Sequence, residues 1–97
     1  MIFPPDELAE ICRKHGIKRL SLFGSFLKGT AGPDSDVDLL VEFEAGRTPG
    51  YFGMVRIQME LSALIGGRRV DLRTAAELSR YFRDEVVQTA SVQYEAA

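Results

Sequence analysis

The spacing of apolar positions changes several times along the chain, and each change marks an element boundary. Leu8, Ile11 and Cys12 recur at helical spacing behind Pro4 and Pro5, with Asp6 and Glu7 in the first turn. Gly16 supplies a stop, so a helix is predicted over about 5–15. Ile17, Leu20, Leu22 and Phe23 then form a dense apolar run ended by Gly24, which predicts a strand over 17–23. Gly24 and Ser25 open a short helical or turn segment to about Lys28, and Gly29, Gly32 and Pro33 impose an irregular loop. A second strand is predicted at 37–43, apolar and β-branched at its start. Beyond a loop with Gly46, Pro49 and Gly50, one face of a helix over 51–65 carries Met54, Ile57 or Gln58, Leu61, Leu64 and Ile65. Gly66 and Gly67 stop it, and Met54 and Met59 read as core filler. A short third strand is expected at 68–72. From Thr74, a candidate N-cap, helical pattern resumes through 75–78 and again over 79–94. The order α-β-α-β-α-β-α describes the α/β class: one compact domain over 1–97, with a small mixed β-sheet flanked by helices.

Composition adds limits. A chain of 97 residues buries roughly two thirds of its unfolded surface, enough for one core. With 45% apolar and 27% charged residues, disorder is not expected. The net charge of −2 argues against a dedicated nucleic-acid binder. Charge is unevenly spread: Asp34, Asp36, Asp38, Glu42 and Glu44 meet no base over 34–44, whereas 56–83 carries Arg56, Arg68, Arg69, Arg73, Arg80 and Arg83. The first stretch suits cations and the second suits anions or an acidic partner, although most of these arginines taken singly read better as solvated surface. Cys12 is the one cysteine, so a reducing compartment is expected, and its spacing makes it a core residue rather than a nucleophile. The start Met1-Ile2-Phe3-Pro4-Pro5 lacks a basic, then apolar, leader pattern, and no run approaches the ~18 apolar residues of a membrane span. A cytoplasmic protein with no membrane partner is the expectation.

The chemistry concentrates in two stretches. Side chains two apart on a strand share a face, so Asp36 and Asp38 project together, ~6.6 Å apart along the backbone, while Val37, Leu39 and Val41 face the core. Two carboxylates about 4 Å apart repel by roughly 4 kcal/mol at an effective dielectric near 20. A proton or a cation must relieve that, and oxygen-only ligands favour Mg²⁺ or Mn²⁺. Asp71, between Val70 and Leu72 on the next predicted strand, completes a candidate three-carboxylate site. The plainer reading makes Asp36 and Asp38 an exposed strand end and pairs Asp71 with Arg69 or Arg73. Upstream, Gly24 lets phosphate approach the backbone, the Ser25 hydroxyl can hold a phosphate oxygen, and Lys28 suits the same triphosphate. A P-loop is rejected because Thr30 stands where its lysine must follow the second glycine. His15, before a C-capping glycine, reads as helix-end packing or surface; Tyr51, Tyr81 and Tyr94 read as packing residues.

The run Gly24-Ser25, a loop, then Ser35-Asp36-Val37-Asp38-Leu39 resembles the signature of the polymerase-β-type nucleotidyltransferase superfamily, and within it the minimal nucleotidyltransferase (MNT) branch. The resemblance extends to Val70-Asp71-Leu72 and to Arg80-Tyr81-Phe82-Arg83-Asp84-Glu85-Val86. It implies a palm-like nucleotidyltransferase fold. It also implies catalytic and metal-binding roles for Asp36, Asp38 and Asp71, with Mg²⁺ or Mn²⁺ as cofactor and ATP or another NTP as substrate. Gly24, Ser25 and Lys28 would bind the nucleotide. Members of the branch are often encoded beside a HEPN-domain protein, and the resemblance implies an antitoxin that adds AMP to a tyrosine of a HEPN ribonuclease. The arginine-bearing segment 56–83 with the expected C-terminal helix is then the partner surface. One departure stands out: Phe26 occupies a position where the branch usually has arginine, and Phe26→Arg is expected to leave nucleotide binding unchanged or tighten it. Two alternatives remain: a non-catalytic module that only binds its partner, and an adenylyltransferase acting on a small molecule. The second lacks support in length, since 26 residues following Asp71 leave little chain for a substrate domain.

Overall fold

The computed structural model describes residues 2–32, 34–81 and 83–96; Met1, Pro33 of the expected loop, Phe82 of the closing segment and Ala97 lie outside the described residues. The elements run α1 (Pro5–His15), β1 (Ile17–Phe23), α2 (Ser25–Lys28), β2 (Val37–Phe43), α3 (Tyr51–Leu64), β3 (Val70–Arg73), a 3-10 turn (Ala75–Glu77), α4 (Arg83–Thr89) and β4 (Ser91–Glu95). Helix α1 ends as its sequence dictates, with Gly16 at φ 69° donating back to the carbonyls of Cys12 and Arg13. The four strands form one mixed sheet in the order β3-β2-β1-β4. Strand β1 is antiparallel to β2 and β4, and β2 is parallel to β3.

One sheet face is covered by α1 and α3. Leu8 and Cys12 of α1, with Ile57 and Leu61 of α3, pack on Leu20, Leu22, Val37, Leu39, Val41, Val70 and Leu72. Burying side chains of this size contributes about 1.5–3 kcal/mol each, so this layer is the main source of stability. Burial also pushes the Cys12 thiol up to about 12, in keeping with a core residue rather than a nucleophile. Over this layer an ion-pair seam ties the two helices: Glu60 of α3 meets Lys14 Nζ at 2.9 Å and His15 Nε2 at 3.2 Å. His15 thus takes the helix-end role its position suggests.

Three expectations need correction. The helix anticipated over 79–94 is the shorter α4 followed by a strand. Val92 and Tyr94 are β-branched and aromatic, and the free edge of β1 offers backbone partners that a helix would leave unpaired. A register shift between Leu20 and Ser21 lets β4 turn Tyr94 onto the core while Val92 faces the other side of the sheet. Met59, expected in the core, is 68% exposed, because two residues from Ile57 on a helix is nearly the opposite face. Tyr51 and Tyr81 are exposed rather than packed, and only Tyr94 of the three tyrosines meets the core. Thr74 does cap, but it starts the 3-10 turn: its amide and hydroxyl both reach Glu77 Oε1. Among the described residues no helix is long and apolar enough to cross a membrane.

Candidate functional site

The sheet face turned away from α1 and α3 is organised in rows, because cross-strand neighbours in register stand side by side. The first row runs Asp71 on β3, Asp38 on β2 and Phe23 on β1, with Gly24 just beyond Phe23. The second runs Arg73, Leu40, Ser21 and Val92. The third pairs Glu42 with Arg19, which also binds Glu95 at 2.8 Å. Alternation does the sorting: Val37, Leu39 and Val41 are buried against the helices, as expected, and the residues between them must face the other way.

Gly24 joins the phosphate-type turn to the acids. It sits at φ 76°, ψ −150°, a backbone region that only glycine enters readily. A Cβ added there would fall on the carboxylate of Asp38. Glycine is therefore required twice, for the turn and for the room the acid takes up. Ser25 opens α2, whose C-terminal Gly29 returns its amide to the Ser25 carbonyl. Lys28 is exposed and lines a cavity of about 280 Å³ with Gly24, Leu27 and the α4 residues Glu85 and Thr89. The turn and its lysine are thus neighbours of α4, which the sequence alone does not foresee.

The acids themselves are gathered but not converged. Burial first, then the negative charges of Asp71 and Asp36, push the Asp38 carboxyl above its ordinary value, with Arg73 opposing. Asp71 accepts from Arg73 Nε at 3.1 Å, and Asp36 lies 3.9 Å from Arg69 Nε. The ion-pair partners anticipated for Asp71 were Arg69 and Arg73; the structure gives it Arg73 and hands Arg69 to Asp36. With two of the three carboxylates drawn toward guanidinium groups, no three acid, histidine or cysteine side chains among the described residues stand close enough to form a ready metal centre. The chemistry of the donors nonetheless fits a divalent cation. Asp38 is crowded by like charge, in register with Asp71, and supplied only with oxygen atoms. A cation there would relieve the repulsion that two arginines now relieve in part.

Arg68 was not singled out by sequence, and it organises the loop that delivers Asp36. Its Nη2 donates to the Gly32 carbonyl, its Nε donates to the Ser35 carbonyl at 3.3 Å, and its guanidinium lies 4.6 Å from the centre of the Phe26 ring. The Val37 amide donates to the Arg69 carbonyl at 2.9 Å, fastening the same loop to the start of β3. Phe26 therefore has a partner of its own, a cation held on its face, where arginine would bring a second positive charge. Gln58 was likewise left undecided; its Oε1 accepts from the Leu72 amide at 2.9 Å and ties α3 to β3.

Two cavities flank the acid row. One, of about 360 Å³, includes Asp71 and opens beside Tyr51, Arg73 and Glu77. The other, of about 430 Å³, begins at the second row and is lined by Ser21, Leu40, Ala75, Val87, Ala90 and Val92 among others.

Known proteins bear on this arrangement. The sequence model described as the nucleotidyltransferase domain matches residues 6–92. A Methanocaldococcus jannaschii protein provisionally named a protein adenylyltransferase is 33% identical over 84 residues, 87% of this chain and 87% of that protein. The solved structure of a chain provisionally named a minimal nucleotidyltransferase is 37% identical, covers 89% of this chain and 85% of that one, and superposes with a TM-score of 0.72. A solved complex of a tri-AMPylated Shewanella oneidensis HEPN toxin with an MNT antitoxin superposes with a TM-score of 0.64 over 95% of this chain and 70% of that one. Its sequence identity is 17%, so that likeness is one of fold.

Proposed function

This chain belongs to the nucleotidyltransferase domain family, and on that footing we propose that it transfers AMP from ATP to a tyrosine hydroxyl of a HEPN ribonuclease and thereby silences it as an antitoxin. The observation that carries this reading is the end of the open sheet face, where Asp38 stands in register with Asp71, Gly24 lies against the Asp38 carboxylate and Asp36 precedes the same strand. The name of the provisional protein adenylyltransferase supports this substrate class, and the AMPylated HEPN complex shares the fold.

In this reading Gly24, Ser25 and Lys28 hold the triphosphate and present its α-phosphorus above Asp38. The acceptor oxygen forms a bond to that phosphorus as the bond to the oxygen bridging the β-phosphorus breaks, and pyrophosphate leaves. Asp71, on the side away from Gly24, takes the hydroxyl proton. Mg²⁺ or Mn²⁺ held by Asp36, Asp38 and Asp71 would neutralise the charge that develops on the attacking and leaving oxygens. Asp36 and Asp71 are freed for that role once Arg69 and Arg73 turn to the phosphates, which are stronger bidentate partners. The cavity that includes Asp71 is the approach for the acceptor, and exposed Tyr51 at its mouth is a contact for the partner.

The test incubates the chain with ATP, Mg²⁺ and the product of its neighbouring gene, and reads that partner's mass for added AMP. The double variant Asp36→Asn/Asp38→Asn should lose at least about a thousandfold in transfer while keeping its fold, since both side chains are solvent-accessible. Equal transfer by the double variant removes the acids from the mechanism. A partner silenced without modification favours the binding-module reading, and transfer to a small hydroxyl compound alone favours the small-molecule one.

A further inference from the structure

The second row of the open sheet face belongs to a cavity of about 430 Å³, within the size range of small-ligand sites, that transfer chemistry by itself leaves unused. Leu40 follows Asp38 on the same face of β2, about 7 Å further along the strand. Behind it stand Ser21 and Val92, while Ala75 of the 3-10 turn and Val87 and Ala90 of α4 form the opposite wall. Among the described residues Ser21 is the buried polar side chain, and it lines this cavity.

We propose that this cavity holds the ribose and base of the nucleotide. The inference rests on the function proposed above and adds a direction to it. An in-line displacement places the attacking and leaving oxygens at opposite poles of the phosphorus. With pyrophosphate at Gly24 and Ser25, beyond β1, and the attacking hydroxyl at Asp71, on β3, that axis crosses the strands. The 5′ oxygen must then leave the phosphorus at right angles to it, along the strands or away from the sheet. In one direction along the strands lies the charged pocket of Asp34, Asp36, Arg68 and Arg69. In the other lies the mostly apolar cavity beyond Leu40, whose charged lining residues, Arg19 and Glu42, pair with each other at 3.9 Å. A nucleobase is a flat, weakly polar group, and the apolar wall is the one that gains from covering it. The Ser21 hydroxyl is placed to meet a polar edge of the sugar or base.

The test uses the full chain, which contains no tryptophan. Val87→Trp and Val92→Trp place an indole in the cavity from α4 and from β4; both valines are about half exposed, at 47% and 50%, so the core is untouched. Binding of Mg-ATP and of magnesium tripolyphosphate, which has phosphates and no nucleoside, is measured by calorimetry alongside indole fluorescence. Both variants should weaken ATP by about tenfold or more, because the indole fills the space the base would take, and leave tripolyphosphate within about twofold of the wild type. ATP, and not tripolyphosphate, should change the indole emission. The two positions lie on separate elements, so a variant that fails to fold leaves the other to decide. Unchanged ATP affinity in a folded variant overturns the assignment, and if transfer to the partner is lost at the same time the cavity belongs to the acceptor. Loss of ATP and tripolyphosphate in equal proportion overturns it as well. A wild-type chain that binds neither ligand overturns the transferase reading itself, and the cavity assignment with it.

Discussion

The two faces of the sheet treat their carboxylates in opposite ways. On the helix side, Glu60 meets Lys14 and His15, and these contacts, that of Lys14 foremost, hold its carboxyl below the ordinary range. On the open side, Asp38 faces Asp71 and Asp36, and burial with like charge holds its carboxyl above it. The helix side offsets the burial of its charge with paired partners, whereas the open side keeps a repulsion that a compact fold alone would have no reason to keep. Stability is built on one face and the crowded carboxylates stand on the other, the arrangement expected where a candidate site is less stable than its scaffold.

The largest effect should come from breaking the helix side. Leu61→Ala removes a fully buried side chain between α3 and the sheet, and should cost about 2–5 kcal/mol, read as a lower urea midpoint. Variants at the half-buried positions of the open side should cost less. Arg68→Ala loses the two carbonyl contacts and the Phe26 stack, and should cost about 1–3 kcal/mol, with faster amide exchange confined first to residues 29–36. Phe26→Arg should destabilise in the same sense by a smaller amount, because a second guanidinium replaces the ring under Arg68. A neutral or stabilising Phe26→Arg would remove the loop clamp from the account.

The smallest effects sharpen the contrast by their sign, followed as melting temperature against pH in the presence of a chelator. Glu60 has a lowered folded-state value. Its contribution is therefore complete above the ordinary glutamate range and is lost as pH falls through the lowered value. Glu60→Gln should destabilise at neutral pH by on the order of 0.5–1 kcal/mol, and the difference should fade on acidification. Asp38 has a raised folded-state value. Ionising it carries a penalty that is complete above the raised value and vanishes as pH falls to the ordinary aspartate range. Asp38→Asn should then raise the melting temperature at neutral pH, and that gain should disappear in acid. Two variants that shift in the same direction would dissolve the distinction between the faces.

Much of this molecule was legible in the chain. Strands 17–23 and 37–43 fell where dense apolar runs stand between glycines, and α1 where prolines and Gly16 bracket a helical pattern. These signals are local, set by backbone freedom and by which side chains repeat on one face. Asp38 and Asp71 were legible as candidates for the same reason, since alternation on a mostly apolar strand leaves an acid nowhere to go but the open face, whereas Asp36 precedes β2 on the loop that Arg68 holds. The C-terminal strand was not legible, because residues 91–95 form it by pairing with β1, some seventy positions earlier, and a weak local pattern yields to that edge. Nor were the arginines: whether Arg68, Arg69 or Arg73 meets a carbonyl, an acid or an aromatic ring depends on how the loop before β2 folds back onto β3. Sequence determined which residues face which side of β2 and β3, through the fixed periodicity of the backbone. Only the tertiary structure decided which of them meet, because strand order, register and the path of the loops are set by burial of the whole core at once.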